Sequence, residues 1–390
     1  MLINASHIVT LEGPILKDHS ILVENGIIQA IAPHKELSSD ACVDLPNTIL
    51  LPGLVNCHCH LELSKLPEPL PYPGSFVGWI DQLTRLKLQM SPADIDEAIA
   101  VGIRQLMEGG TTTVADHLSV STSPKTLMES SLDGIAYVEV LGLEEKRAEY
   151  FYEEALEKLK MKNEKFKIIA TPHATYSLLP EVFSKLISTH TPLSIHIAES
   201  AEEYLLFKEN RGPLLEFLQR KGQAPATLGE TPVQYLERLK LLPQHGMAIH
   251  ANYLEEEDIA ILNEHQMSVV HCPGSHVYFD HDRFPLGLLQ DGAINVALGT
   301  DSLASNNSLS MLEQMRLALD HYAELTPETV LKMATINGAK ALGKEKEIGS
   351  IKIGKRANLI GCTLRLPKQS LYENILQAEK TSFTIIRGVL

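Results

Sequence analysis

Cysteine is scarce in this sequence. Cys42, Cys57, Cys59, Cys272 and Cys362 form an odd set of five in 390 residues, with no C-x-x-C pair. That excludes a disulfide framework and a zinc ribbon, and leaves reduced, mostly buried thiols. Positive charge is in deficit too: 34 Lys and Arg face 49 Asp and Glu, a formal net charge of -15. Such a surface repels phosphate backbones and anionic lipids, and only the short KIGKR from Lys352 offers a local exception. Neither nucleic acid nor membrane is an expected partner. No stretch of about 18 apolar residues occurs. The opening MLINASHIVTLEGPIL lacks the basic region, apolar block and cleavage site of a leader, so the expected location is the cytoplasm. The absence of low-complexity tracts and exact repeats argues against disorder and a solenoid. The length suits one large domain with an appendage, or two domains of ordinary size.

Period-two alternation is present at both ends. HIVTL, SILVENGIIQAIAP and CVDLPNTILLP fill the first fifty residues, with Asn25-Gly26 marking a hairpin, and they predict a small antiparallel sheet. The same style returns in GSIKIGKRANLIGC and FTIIRGVL after a helical PETVLKMATINGAKALG. Residues 1–51 and 349–390 are therefore expected to form one satellite domain. Between them, over 52–348, β-rich runs alternate with segments of helical period. The runs are GLVNCHCH, TTTVADH, IAYVEVLG, KIIATPHA, LSIHIAES, MAIHAN, MSVVHCP and INVALGTD. About eight such units predict an α/β fold, a (β/α)₈ TIM barrel of the usual size of roughly 250 residues.

Nearly every run ends in an ionisable side chain: His58 and His60, Asp116 and His117, Glu139, His173, His196 and Glu199, His250, His271, Asp301. Any one alone reads as a satisfied structural residue. At the C-terminal ends of barrel strands, however, they would converge on one mouth. In a regular strand, His58 and His60 share a face and Cys57 and Cys59 share the other. Two thiolates would need further cysteine partners, of which the other strand ends supply only Cys272, whereas His and Asp recur there. The histidines are thus the expected ligands, and the cysteines are expected to pack against helices. His58, His60, His196 and Asp301 supply the three or four N and O ligands that a catalytic divalent metal needs.

Taken in order, HCH at His58, HIAE at His196, IHAN around His250, HCPGS from His271, GTDSLASNN around Asp301, ATINGAKALG and IGSIKIGKRANLI resemble the amidohydrolase superfamily, in its mononuclear deaminase and chlorohydrolase branch. The resemblance covers essentially the whole chain and implies that the terminal segments build a small β-sandwich. It implies metal ligands at His58, His60, His196 and Asp301, a proton-shuttling acid at Glu199, and a water-orienting histidine at His250. A substrate contact is implied at His173, with Glu199 also facing substrate and Asp301 taking the proton from the attacking water. Binuclear relatives bridge two metals through a lysine at the end of the fourth strand. Here that position reads ATPHATYS, with Lys165 and Lys167 before it, so one metal is expected, zinc or alternatively iron.

The resemblance implies a hydrolytic deaminase of an aminated purine nucleoside. NCHCHLELS and PHATYS look most like the aminodeoxyfutalosine deaminases of the futalosine route to menaquinone. The alternatives are deaminases of methylthioadenosine or S-adenosylhomocysteine, guanine-type deaminases and triazine-type chlorohydrolases, and more remotely a non-catalytic barrel scaffold. A homodimer suits the branch. The P-C-x-x-C partner of cytidine-type deaminases is missing, as is H-E-x-x-H.

Other residues carry open readings. Glu62 and Trp79 fall in the first loop region, with Trp79 equally a helix anchor. Asp116, His117 and Glu139 divide evenly between pocket and packing. His276 stands where relatives commonly show Asn, His265 and His281 read as surface residues, and the acidic run Glu255 to Asp258 reads as a helix start. A substrate carboxylate would need a cation, for which Arg147, Arg85 and Lys87 are the candidates.

Overall fold

Asn25 and Gly26 both take left-handed backbone (φ 51° and 75°), the geometry of a two-residue hairpin, and fold strand β2 (Leu16–Glu24) back on β3 (Ile27–Pro33). The computed structural model describes residues 1–66, 69–188, 192–222, 224–365 and 368–389. Leu390, the last residue of the expected C-terminal segment, lies outside them.

β1 (Leu2–Ile8), β4 (Cys42–Pro52), β13 (Leu359–Thr363) and β14 (Phe383–Ile385) complete a six-stranded sheet in the order β14-β13-β4-β1-β2-β3, so strands from both ends of the chain share it. Its core includes Ile3, Ile8, Ile21, Ile28, Leu50, Leu359 and Ile385. The sheet is mixed, which corrects the antiparallel expectation. β4 lies on the far side of β1 from β2, reached by a crossover from β3 rather than a hairpin, and pairs parallel with β1.

The eight middle runs all form strands: β5 (Leu54–Cys59), β6 (Thr111–Ser119), β7 (Asp133–Val140), β8 (Phe166–Pro172), β9 (Ser194–Ile197), β10 (Met247–His250), β11 (Ser268–His271) and β12 (Asn295–Leu298). They make two four-stranded parallel sheets, β5-β6-β7-β8 and β9-β10-β11-β12. Almost every strand residue is buried and helical segments follow each strand, as expected of parallel sheets covered on both faces. The sheets also meet at their edges. Ala174, just after β8, bridges to His196 in β9, and the amides of Thr300 and Asp301, just after β12, donate to the His58 carbonyl in β5 (2.9 and 3.0 Å). Among the described residues, no helix is long and apolar enough to cross a membrane.

The strand alternation expected for the two cysteines fails. Cys57 packs in a buried cluster with Val55, Ala115, Tyr137, Ile249 and Ala297, and its thiol reaches the Gly338 carbonyl. Cys59 joins a different cluster with Leu61 and Ile99, and its thiol lies 3.4 Å from Asp116 Oδ1. The cause is an irregularity in the β5–β6 register between Asn56 and Cys59, which turns the two thiols onto different neighbours.

Candidate metal centre and active site

His58 and His60 come from β5 and the residue after it, His196 from β9, His250 from the end of β10, and Asp301 from just beyond β12. The structure brings them together. His58 Nε2 and His60 Nε2 lie 3.6 and 3.8 Å from Asp301 Oδ1, and the His58 ring is 4.8 Å from that of His196 and 5.5 Å from that of His250. Glu199 joins through Oε1, 3.5 Å from His250 Nε2. The ligand atoms of His58, His196 and His250, of His58, His60 and Asp301, and of Glu199, His250 and Asp301 each fall within 4.8 Å of one another.

Whether this set fits a metal is decided by where the other nitrogen of each ring goes. His60 Nδ1 is 3.1 Å from the His117 carbonyl, His196 Nδ1 is 2.7 Å from the His173 carbonyl, and His58 Nδ1 is 3.1 Å from His117 Nδ1. The Nδ1 atoms of these three rings are engaged, which leaves their Nε2 atoms for the common space, and His58 Nε2 is a buried nitrogen without a hydrogen-bond partner. That is how metal-ligating imidazoles are held. Asp301 is arranged likewise: Ser275 and Ser305 hydroxyls donate to Oδ2 (2.8 and 2.7 Å), leaving Oδ1 toward the histidines. The cluster fits a divalent metal.

Electrostatics agree with that chemistry. Burial, helped by neighbouring histidine charge, pushes His60 down to about 3 and His196 well below its usual value, so both rings are neutral donors. Burial works to raise Asp301, yet the His58 bond and the nearby imidazoles hold its carboxyl well below the usual range. Glu199 goes the other way, pushed up by burial and by the charges of Asp301, Glu203 and Glu139. Two carboxyl groups with opposite shifts in one cleft are a signature of acid–base work. Backbone strain marks the same place. Ala198, His250, Ala251 and Asp301 all have left-handed φ (52°, 68°, 49° and 58°) without being glycine.

His173 stands beside His196 with ring centroids 4.8 Å apart, and its Nδ1 is held by Ser177 Oγ at 3.1 Å. Glu139 lies within the site, 3.6 Å from His196 Nδ1 and 3.9 Å from His60 Nδ1. Asp116 instead accepts the Leu61 amide at 2.9 Å and shapes the turn after β5. Trp79 is an anchor: its indole donates to the Ala304 carbonyl and its ring packs on Phe76 and Phe279. The acidic run does start a helix, with Glu255 as cap and Asp258 closing a capping box. His265 and His281 are half-buried rather than on the surface, because His265 bonds Glu237 at 2.7 Å and His281 packs on Tyr253 and Phe279. Of the three cations, Arg85 pairs with Asp81 in solvent and Arg147 lies over the Phe151 ring. Lys87 reaches Glu62 and Ser119, next to the site.

Several residues were not legible in advance. Glu62 was named but its partners were not: the buried carboxylate collects Lys87 at the end of the helix Phe76–Lys87, Ser119 at the end of β6, and Thr122 in the turn that follows. Glu203 Oε2 accepts the Glu199 amide (2.7 Å), and Asn252 Nδ2 donates to the Glu199 carbonyl (2.9 Å) while its Oδ1 lies 3.1 Å from His276 Nδ1. Ser275 and Ser305 had the faintest signal, as the serines within HCPGS and LASNN.

The Amidohydrolase family profile matches residues 49–390. This chain belongs to the amidohydrolase family. It is a hydrolase acting on C–N bonds. It is 32% identical over 370 residues, 89% of this chain and 82% of the relative, to the 5-methylthioadenosine/S-adenosylhomocysteine deaminase of Pyrococcus furiosus. Among solved structures, the zinc-bound adenosine deaminase from Xanthomonas campestris is similar with a TM-score of 0.86 and 25% identity, over 100% of this chain and 92% of that one. The Helicobacter pylori aminofutalosine deaminase in complex with methylthio-coformycin shares the fold, with a TM-score of 0.86 at 23% identity over 99% of this chain and 98% of that one.

Proposed function

We propose that this amidohydrolase is a metal-dependent deaminase of an adenosine-type nucleoside. The observation that carries the reading is the pairing of Glu199, its carboxyl raised by burial, with Asp301, held ionised beside three histidines. His58, His60, His196 and Asp301 are the residues that would hold the ion, zinc in the first instance. Bound there, it supplies Lewis-acid activation of water at neutral pH. Asp301 accepts a proton from the attacking water, and His250, 3.5 Å from Glu199, orients that water. Glu199 gives its proton to the ring nitrogen as the C–O bond forms, then assists as the C–N bond breaks and ammonia leaves. His173 lines the substrate side.

The same reading takes the eight parallel strands as one closed (β/α)₈ barrel over 52–348, supported by the β8–β9 and β12–β5 edge contacts. Residues 1–51 and 349–390 then form a composite β domain, supported by their shared sheet.

Two substrates compete. The motifs around His58 and His173 favour 6-amino-6-deoxyfutalosine, and the sequence relative favours methylthioadenosine or S-adenosylhomocysteine. Lys87 does not decide between them, because Glu62 already meets its charge. Ammonia release from aminodeoxyfutalosine, methylthioadenosine, S-adenosylhomocysteine, adenosine and guanine by zinc-loaded protein separates them. Turnover of aminodeoxyfutalosine alone selects the first, preference for a thioether nucleoside selects the second, and no turnover of any overturns the deaminase reading. Glu199→Gln should keep its zinc and lose about 10²–10⁴ in kcat.

A further inference from the structure

His117 belongs to neither the ligand set nor the acid–base pair, yet it touches both histidines of the HCH motif. It is fully buried on β6, stacked on Tyr137 at 4.9 Å. Its backbone carbonyl receives His60 Nδ1 at 3.1 Å, its own Nδ1 lies 3.1 Å from His58 Nδ1, and its Nε2 lies 2.7 Å from Ser194 Oγ. Ser194 is two residues before His196 on β9 and is pinned in turn by Thr171, whose hydroxyl donates to the Ser194 carbonyl (2.6 Å).

This contact fixes proton positions. Two Nδ1 atoms at bonding distance need one proton between them, neither two nor none. A ligand nitrogen must be bare, so if His58 Nε2 faces the metal its proton is on Nδ1. His117 Nδ1 must then be the acceptor, and the His117 proton sits on Nε2 and goes to Ser194. His60 and His196 donate to backbone carbonyls, which accept whatever happens around them. His58 alone of the three depends on a side chain that has a second tautomer. The geometry assigns His117 as the positioning residue of the metal centre: it accepts the His58 Nδ1 proton and holds that ring in orientation, Ser194 accepts from its Nε2, and the relay ties the β5 ligands to β9.

The inference rests on the ligand set proposed above. It is tested by zinc affinity, measured on the full chain by competition with a chromophoric chelator. His117→Phe keeps the ring stack and removes the acceptor, and should weaken zinc binding about 10–100-fold. His117→Asn places an amide oxygen near the Nδ1 position and should recover most of that loss. Ser194→Ala should weaken binding in the same direction by less. In the zinc-loaded wild type, ¹⁵N shifts of histidine-labelled protein should put the His58 proton on Nδ1. Wild-type affinity in His117→Phe, equal losses in Phe and Asn, or an Nε2 proton on His58 would each overturn the relay. Should His117→Phe not fold, Ser194→Ala and the ¹⁵N shifts decide, and unchanged affinity in Ser194→Ala then counts against it. Failure of the ligand set itself is distinct: His58→Ala would bind zinc as well as wild type.

Discussion

At the scale of single residues, the feature that governs the acid is its anchorage. Glu199 follows a left-handed Ala198, and its amide and carbonyl are both taken by side chains, Glu203 and Asn252. Glu203 is fully buried; burial raises its carboxyl to about 7, against the hydrogen bonds from Thr175 and the Glu199 and Ala198 amides that lower it. A carboxyl raised in the folded state favours folding while protonated. Its contribution is complete below the ordinary carboxyl value of 4.5 and is lost as pH rises through about 7. The rate of loss is about 1.4 kcal/mol per pH unit inside that window, about 3 kcal/mol in all. Glu203→Gln should therefore be less stable than wild type at pH 5, having lost an acceptor, and should gain on it by pH 8. Urea midpoints of both proteins at the two pH values check this; a difference that does not change with pH would show that Glu203 stays ionised throughout.

Among elements, the site depends on how closely β12 approaches β5. Gly299 makes that approach possible. A Cβ at this position would lie 2.9 Å from His58 Cβ and 3.0 Å from both its backbone nitrogen and oxygen. Those contacts are with backbone that cannot swing aside, and the next two amides donate to His58. Gly299→Ala should cost about 1–3 kcal/mol through overpacking. By pushing Asp301 away from His58 and His60 it should also weaken zinc binding. A chelator titration beside a thermal melt checks both, and unchanged zinc affinity would mean that β12 yields without moving Asp301. The elements themselves were largely legible: all eight middle strands lie where β-rich runs end in ionisable side chains. Legibility failed where the controlling contact is remote. Nothing near Cys57 announces the register slip against β6, and nothing near Glu62 announces Lys87 or Thr122. The left-handed residues Ala198, His250 and Ala251 are themselves neither glycine nor asparagine, the types that would signal such backbone.

For the whole molecule, the parallel β1–β4 pairing shows the same limit, since alternation reports that a strand exists but not which neighbour it takes. What joins the six-stranded sheet to the β5–β12 sheets was equally hidden. Asp133 opens β7 and is buried, and three side chains from the C-terminal segment converge on it: Arg387 Nε at 2.8 Å, Asn358 at 3.1 Å and Arg356 at 3.4 Å. Arg356 also holds Glu347 at 2.8 Å. Both arginine side chains keep about a quarter of their surface in water, 25% and 27%, although Arg387 Nε itself is buried, so removing the carboxylate leaves that N–H unpaired while the rest of each cation stays partly hydrated. Asp133→Ala should accordingly cost about 1–3 kcal/mol rather than the larger penalty of a dry ion pair. Asp133 and Glu139 stand at opposite ends of β7, some 20 Å apart at about 3.3 Å per residue. Effects so far apart add. The thermal midpoint of Asp133→Ala should thus fall by the same free energy with and without saturating zinc, while zinc raises both proteins equally. A loss that vanishes when zinc is bound would mean instead that the two ends of the fold are coupled, and that this junction helps to shape the metal centre.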